Sequence, residues 1–287
     1  MESIPVAVIG GSGLYQMPGL KTIQERRLST PFGEPSDALI IGELSGIPVA
    51  FLPRHGRGHV LSPSEVPYRA NIYALKSLGV RHIIGVSACG SLRQHLEPGD
   101  IVIPDQLFDF TRSRPRSFFG DGLVAHISVA EPFCPELSLL LASTCEAAGG
   151  HVHRGGTLIT IEGPRFSTKA ESQAFRAWGM DIIGMTTSPE AFLAREAGLC
   201  YTTMAHVTDY DVWHESEAPV TVEVVIQRLN ANVKLAQDAI AALAPQLAQL
   251  QTHCNCAEVL ATALITAPER IPAATCEKLH LLTTPYL

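Results

Sequence analysis

The sequence has few charged residues, and no part of it is strongly basic. Lysine and arginine total 21 and aspartate and glutamate total 28 among 287 residues, which gives a formal net charge of -7. A general nucleic-acid binder needs clustered cations to neutralise a phosphate backbone and displace its counterions. The composition therefore excludes that class, and no nucleic acid is expected among the partners.

The start of the sequence does not have the pattern of a targeting or membrane-spanning segment. The opening MESIPVAVIGG has no basic region before its apolar run, and that run is far too short to span a bilayer. We therefore expect a cytoplasmic location. We do not expect association with a membrane.

The cysteines lack the spacing of a metal-binding or redox motif. All seven are scattered, no C-x-x-C occurs, and no Cys/His group has zinc-finger spacing, so a structural zinc is not expected. The nearest pair, Cys254 and Cys256 in HCNC, is interpreted as two ordinary thiols before a C-terminal helix. Thiol exchange, or disulfides in a heat-adapted host, is the alternative.

The sequence does contain a regular alternation of strand-like and helix-like segments. Runs rich in β-branched residues predict strands at 5–11, 47–54, 81–90, 99–106, 155–163, 180–187 and 199–209, and helical patterns cover 68–79 and 135–150. This order predicts an α/β fold with a mixed, largely parallel central β-sheet flanked by helices. No biased linker or repeat divides the chain, so we expect a single domain over 1–287 with a C-terminal tail from about 252.

The clearest helix lies near the end of the chain. Val222, Val225, Ile226 and Val233 recur at helical spacing and form an apolar stripe. We expect Pro245 to kink or end this helix, because proline lacks a backbone donor and clashes with the preceding turn.

Polar or basic residues follow four of the predicted strands. They are Ser12 in VIGGSGLY, Arg54 and His55 in FLPRHGRGH, Ser87 in VSACGSL and Thr186 in GMTTSPE. Each motif alone fits a structural turn, and both the G-x-G-x-x-G and the P-loop patterns fail. Ligands of open α/β sheets bind beyond the carboxyl ends of the strands, where guanidinium, imidazole and hydroxyl groups bind oxyanions. The four motifs together predict a site for a small oxyanion.

Two aspartates follow the last predicted strand in MAHVTDYDVWHE. Asp209 and Asp211 sit two apart, so on an extended segment they point the same way. Neighbouring carboxylates repel each other and resist desolvation, which favours a function for the pair. The alternative is an Asp-rich turn that caps the next helix.

One further motif, TIEGPRFST, surrounds a Gly-Pro turn. Glu162 and Arg165 are interpreted as a structural ion pair. Phe166 is either a core residue or an aromatic face for a flat ligand.

Taken together, these motifs resemble the trimeric branch of the purine nucleoside phosphorylase superfamily, and within it the members that cleave methylthioadenosine. The matching segments run in family order from about residue 8 to 213 and include GGSGLY, RHGRGH, YRANIYALK, ACGSL, TIEGPRFSTKAES, MTTSPE and TDYDVW. The resemblance implies a nucleoside phosphorylase-like fold and a homotrimer. It also implies that phosphate attacks C1' of S-methyl-5'-thioadenosine, releasing adenine and 5-methylthioribose 1-phosphate. Phosphate is then a co-substrate, and no metal or organic cofactor is expected.

The resemblance also implies roles for individual residues. Those that match phosphate-binding positions are Ser12, Arg54, His55, Ser87 and Thr186. Those that match substrate-binding positions are Ala88, Phe166, Met185, Thr208, Asp209, Asp211, Val222, Val225, Ile226 and, from a neighbouring subunit, His126. Met185 is expected against the ribose and Phe166 against the purine. His126 and the three residues of the helix are expected around the methylthio group.

The two aspartates are the expected catalytic residues. Protonated Asp209 would neutralise the leaving purine near N7, and Asp211 would accept from the exocyclic amine of adenine. The main alternative is a purine nucleoside phosphorylase that prefers inosine, guanosine or methylthioinosine. A 6-oxopurine would set acceptor against acceptor at Asp211, at a cost of roughly 1–3 kcal/mol. A purine-binding protein without turnover and a water-using hydrolase are weaker alternatives, because neither needs the phosphate-binding residues.

Overall fold

The computed structural model describes residues 3–17, 19–214, 221–250 and 253–287. The strands are β1 Val6–Gly10, β2 Lys21–Arg26, β3 Leu39–Leu44, β4 Ile47–Pro53, β5 His82–Ser91, β6 Ile101–Ile103, β7 Gln106–Phe110, β8 Val152–Arg154, β9 Thr157–Ile161, β10 Ile182–Gly184 and β11 Cys200–Asp209. The helices are α1 Tyr68–Ser77, α2 Pro135–Ala147, α3 Lys169–Ala177, α4 Thr187–Glu196, α5 Val222–Gln249 and α6 Ala273–Thr283. Short 3-10 turns occur at Ser12–Tyr15, Cys256–Glu258 and Pro268–Arg270.

One mixed sheet contains all of these strands. Its main path is β2-β3-β4-β1-β5-β10-β9-β7, and β5 also pairs with β11, which continues through β6 to β8. The pairs around β1, the β5–β11 pair and the β10–β9–β7 run are parallel. The β2–β3–β4 run, the β5–β10 pair and the β6–β11 pair are antiparallel. The predicted mixed, largely parallel sheet flanked by helices is confirmed.

The central strands are apolar on both faces because helices cover both faces. Along β1, Val6 and Val8 pack with α2 and α5, whereas Ala7 and Ile9 pack with α1, α4 and α6. Every residue of β11 is buried, as a doubly covered parallel strand requires. Because β1, β4, β5 and β11 are parallel, the carboxyl ends of β1, β4 and β11 lie at the same edge of the sheet.

The sequence reasoning found the central strands and missed much of the edge. Each of the seven predicted strands overlaps a strand of the structure, but β2, β3 and β8 were not predicted, and the prediction at 99–106 reaches only the first residue of β7. The β2 segment KTIQER is charged and lies at the end of the sheet path, so it lacks the apolar signal of a central strand.

The sequence predicts that Pro245 kinks or ends helix α5. The helix continues through Pro245 to Gln249, so the proline does not end it. Leu243 and Leu247 are buried on either side of Pro245, and their packing holds the helix together across the missing backbone donor.

Within the described ranges, no helix is both long and apolar enough to cross a membrane.

Candidate active site

The ends of β1 and β4 lie beside the middle of β5. Strand register pairs Gly10 with Pro53 and Ile9 with Gly85, and the Arg54 backbone N–H donates to the Gly10 carbonyl at 3.0 Å. The segments that carry Ser12, Arg54 and Ser87 are therefore brought together. Ser12 begins a 3-10 turn, and its side chain lies outside the described atoms.

Arg54 is held in a buried network at this strand end. Its Nε and Nη2 atoms each donate to a carboxylate oxygen of Glu190 at 2.8 Å. The Ile9 carbonyl accepts from Nη2 at 3.1 Å, and the Val86 carbonyl accepts from Nη1 at 2.9 Å. The paired edge of the guanidinium thus faces Glu190. One of its five N–H groups, on Nη1, remains for an anion.

His55 is half-buried and electrically neutral. Its Nδ1 lies 2.8 Å from the Leu61 carbonyl, which can only accept, so Nδ1 carries the hydrogen. Burial, followed by the charge of Arg54, lowers the pKa of His55 to about 4. The Nε2 atom is therefore an acceptor. A phosphate that contacts it must supply a hydroxyl hydrogen.

The second half of β5 and the end of β10 extend this region. Ser87 and Ala88 are half-buried on β5. A Cβ added at Gly184, the last residue of β10, would lie 3.9 Å from the Ala88 carbonyl oxygen. Thr186 is buried directly before α4, and its hydroxyl does not cap that helix. Ser188 has non-helical backbone angles, with φ -101° and ψ 134°, so the regular part of α4 begins after Ser188 and Thr186 lies in the segment before it.

The two predicted acids lie together at the end of β11. Asp209 Oδ2 accepts from the Thr208 hydroxyl at 2.7 Å, and Oδ1 accepts from the Asp211 backbone N–H at 2.8 Å. Asp211 is not on an extended segment: it follows the strand in a turn with a φ of 50°. Burial raises the pKa of the Asp209 carboxyl, and the nearby charge of Asp211 adds to this effect. Burial therefore shifts Asp209 toward the protonated form, whereas the two hydrogen bonds that it accepts partly offset this shift.

Asp211 lies beside two serines that the sequence reasoning missed. Burial raises the pKa of Asp211, and the Ser172 and Ser167 hydroxyls lower it in part. Among the described residues, Asp211 Oδ2 and both serine Oγ atoms are buried without a well-aligned hydrogen-bond partner. Phe166, which is half-buried, directly precedes Ser167. Unpaired buried polar atoms of this kind fit a polar ligand edge.

Gly90 makes room for the first of these acids. A Cβ at this position would lie 2.9 Å from Asp209 Oδ1 and 3.1 Å from Ile183 Cγ2. Any larger residue would displace the carboxylate or the strand, which explains the glycine in the motif ACGSL.

Arg114 holds the loop that carries Met185. It is buried, and it donates to the carbonyls of Met185 and Ser188 at 2.7 Å each and to the carbonyl of Glu162 at 2.6 Å. Local sequence patterns do not indicate a role for Arg114, because its partners are distant along the chain. Through these hydrogen bonds, Arg114 links the segment after β9 to the segment after β10.

The expected ion pair between Glu162 and Arg165 is not formed. Glu162 Oε1 accepts from Arg114 Nε at 3.2 Å, whereas Arg165 forms a bidentate pair with Glu171 at 2.7 Å. Two separate pairs therefore hold the two sides of the Gly-Pro turn.

The start of α5 presents apolar side chains near the β11 end. Arg228 of this helix donates to the Thr208 carbonyl, which ties the helix to the strand that carries the acids. Val222 is 57% exposed and Ile226 is 52% exposed, while Val225 is half-buried. The helix thus has an apolar surface that the described residues cover only in part.

His126 is exposed on a separate segment. Its backbone N–H donates to the Ala263 carbonyl at 2.9 Å, and Ala125 forms a bridge with Leu264. The C-terminal tail therefore holds this segment in place.

A mixed sheet with polar and basic side chains at adjacent strand ends and a buried acid pair is also what known phosphorylases lead us to expect, and comparison with known proteins identifies the class. The family model described as the phosphorylase superfamily matches residues 5–245. S-methyl-5'-thioadenosine phosphorylase from Chloroflexus aurantiacus is 57% identical over 287 residues, covering 100% of this chain and 99% of that protein. The enzyme of the same name from Gloeobacter violaceus is 53% identical, covering 98% and 95%.

Solved structures agree with these sequence relatives. A methylthioadenosine phosphorylase from an Antarctic soil metagenomic library has a TM-score of 0.94 and 49% identity, covering 98% of this chain and 99% of that one. Methylthioadenosine phosphorylase from Schistosoma mansoni in complex with adenine has a TM-score of 0.85 and 36% identity, covering 91% and 99%. The chain belongs to the phosphorylase superfamily, and within it to the family of S-methyl-5'-thioadenosine phosphorylases.

Proposed function

We propose that this protein is a pentosyltransferase that cleaves S-methyl-5'-thioadenosine with inorganic phosphate. The products are adenine and 5-methylthioribose 1-phosphate, which places the reaction in methionine and purine salvage. The observation that carries the proposal is the acid pair at the end of β11. Asp209 is oriented by two hydrogen bonds, and Asp211 Oδ2 has no well-aligned hydrogen bond among the described residues.

Phosphate is proposed to bind between the ends of β1, β4 and β10 and the middle of β5. The remaining N–H of Arg54 and the hydroxyls of Ser12, Ser87 and Thr186 would donate to its oxygens. His55 would accept the hydrogen of monohydrogen phosphate at Nε2, because its Nδ1 hydrogen is committed to Leu61. Phosphate serves as co-substrate, and the proposed chemistry requires no metal or organic cofactor.

The ribose is proposed to lie between this phosphate and the acid pair. Phosphate attacks C1' while the bond to the purine breaks, and its negative charge stabilises the cationic sugar. The leaving purine becomes anionic, and protonated Asp209 neutralises it by donating to N7. Ala88 and Met185 would line the ribose, and Phe166 would pack against the purine.

The unpaired acceptor of Asp211 supports adenine as the base. Its Oδ2 atom can accept from the exocyclic amine, and the Ser167 and Ser172 hydroxyls are close enough to orient it. A 6-oxopurine presents an oxygen there and would leave two buried acceptors facing each other. The alternative preference for inosine, guanosine or methylthioinosine therefore does not fit the site.

The proposed active form is a homotrimer. Val222, Val225 and Ile226 would form an apolar wall for the methylthio group, and His126 of a neighbouring subunit would complete it. The partial exposure of that wall and the exposed position of His126 support a shared site.

The proposal is tested by adenine release from methylthioadenosine with and without phosphate, with methylthioinosine as a matched substrate. We expect rapid release from the 6-amino substrate only when phosphate is present. Equal cleavage of methylthioinosine would contradict the role of Asp211 while leaving a phosphorylase. Release that does not depend on phosphate would contradict the phosphorylase.

A further inference from the structure

Four cysteines that are distant in sequence meet at one point beside the sheet. Their Sγ atoms all lie within 4.8 Å of one another, and the Cys200 and Cys254 sulfurs are 3.4 Å apart. Cys134 directly precedes α2, Cys200 begins β11, and Cys254 and Cys256 come from the start of the C-terminal tail. Three are buried and Cys254 is half-buried. Ordinary core packing does not require four sulfurs in contact.

The dimensions of the cluster suit a tetrahedral metal site. A zinc ion bound by four thiolates has Zn–S bonds of about 2.3 Å, which separates the sulfurs by roughly 3.8 Å. The observed range, from 3.4 Å to within 4.8 Å, includes that separation. Small side-chain movements are therefore sufficient to bring all four sulfurs to bonding distance.

The buried guanidinium of Arg195, which contacts Cys256, independently favours negative charge on the cysteine cluster. Arg195 is 8% exposed, and it donates from Nη1 to Cys256 Sγ and from Nη2 to Asn255 Oδ1, both at 2.8 Å. In the part of the chain that is described, the Arg195 guanidinium meets no carboxylate. A buried charge without a counter-charge is costly. Four thiolates around Zn²⁺ carry a net charge of -2 and would compensate it.

The position of Cys134 also favours a thiolate. It precedes the first turn of α2, where backbone N–H groups and the helix dipole stabilise negative charge.

We propose that Cys134, Cys200, Cys254 and Cys256 bind one zinc ion as a closed, structural tetrathiolate site. Binding forms four Zn–S bonds and releases the thiol protons to solvent, with no change of oxidation state. All four coordination positions are filled by protein, so the metal takes no part in the cleavage reaction. The spacing of these cysteines gave no such signal, because two of the ligands come from distant elements.

The site would anchor the C-terminal tail. The tail begins at the cluster and then pairs with the segment that carries His126, through bonds from His126 N–H to Ala263 and from Ile265 N–H to Val124, at 2.9 and 3.1 Å. Metal binding at Cys254 and Cys256 would therefore fix one end of the tail that holds this segment.

The test is metal analysis of the full-length protein purified from zinc-supplemented medium under reducing conditions. We expect about one zinc per chain and thiolate-to-metal charge-transfer absorption after replacement by cobalt(II). A C254S/C256S variant should lose the metal. Cys276→Ser, which alters a half-buried cysteine outside the cluster, should retain it.

Cobalt(II) titration of the apo wild-type protein gives a readout that does not depend on the folding of a variant. Absence of both zinc and the cobalt charge-transfer band would overturn the proposal. So would retention of zinc by C254S/C256S with loss from Cys276→Ser. Mass spectrometry would also overturn the proposal if it found the four cysteines joined as disulfides, with a mass lower by two hydrogens for each disulfide.

Discussion

The backbone N–H of Asp211 donates a hydrogen bond to the Oδ1 atom of Asp209, with an N–O distance of 2.8 Å. The Thr208 hydroxyl holds the other oxygen of Asp209 at 2.7 Å. Asp211 Oδ2, by contrast, is buried without a well-aligned hydrogen bond in the described residues, although the Ser167 and Ser172 hydroxyls lie near this carboxyl. One acid is therefore fixed by the protein, and the other remains available to a ligand.

Replacing Asp211 with asparagine should relax the choice of base. The amide can turn its NH₂ group toward a 6-oxopurine, which removes the clash of two acceptors worth about 1–3 kcal/mol. We expect the ratio of kcat/KM for methylthioadenosine to that for methylthioinosine to fall by roughly tenfold or more. Steady-state kinetics on both substrates measure this ratio. An unchanged ratio in a variant with wild-type Tm would contradict the assignment.

The pH dependence of kcat should report the protonation of Asp209. Burial raises its pKa, so the carboxyl keeps its proton to higher pH than an ordinary aspartate, and activity is lost as pH rises through that raised pKa. Asp209→Asn cannot ionise. We expect it to lower kcat by about 10²- to 10⁴-fold and to abolish the falling limb of the profile, measured at saturating phosphate and methylthioadenosine. Persistence of the same limb in the variant would assign it to another group.

The sequence predicted those parts of the fold and site that depend on local patterns. β1, β5 and β11 were found because buried parallel strands form continuous apolar runs. Asp209 and Asp211 were found because paired acids after such a strand are unusual. The charged edge strand β2 was missed because its pattern resembles that of a loop.

Residues whose partners are distant in sequence were not predictable from local patterns. Glu190 and Arg114 act through contacts across 136 and 71 residues, to Arg54 and to the Met185 carbonyl. Their roles depend on which strand ends become neighbours. The spacing of residues along the chain does not indicate which strand ends become neighbours.

The Arg54–Glu190 pair should be important for stability. Glu190→Gln would leave the buried guanidinium without its counter-charge, and we expect the free energy of unfolding to fall by about 3–5 kcal/mol. Chemical denaturation measures this loss. Glu196→Gln is the matched control, since Glu196 lies on the same helix and accepts from Ser117 and the Phe118 N–H. Equal losses in the two variants would contradict a special role for the ion pair.

Glu196 should itself make stability depend on pH. Burial raises its pKa from 4.5 to about 7. The folded state thus binds a proton that the unfolded state has released, and stability falls as pH rises between these values. We expect Glu196→Gln to gain in Tm relative to the wild type from pH 5 to pH 8. A constant difference in Tm over that range would show that Glu196 titrates normally.

The central claim is that phosphate, and not water, receives the sugar. Phosphorus NMR of a reaction with methylthioadenosine tests it directly, since the sugar phosphate and inorganic phosphate give separate signals. We expect a phosphate monoester signal that grows in equal amount with released adenine while inorganic phosphate declines. Adenine release with the inorganic phosphate signal unchanged would contradict the claim and identify a hydrolase.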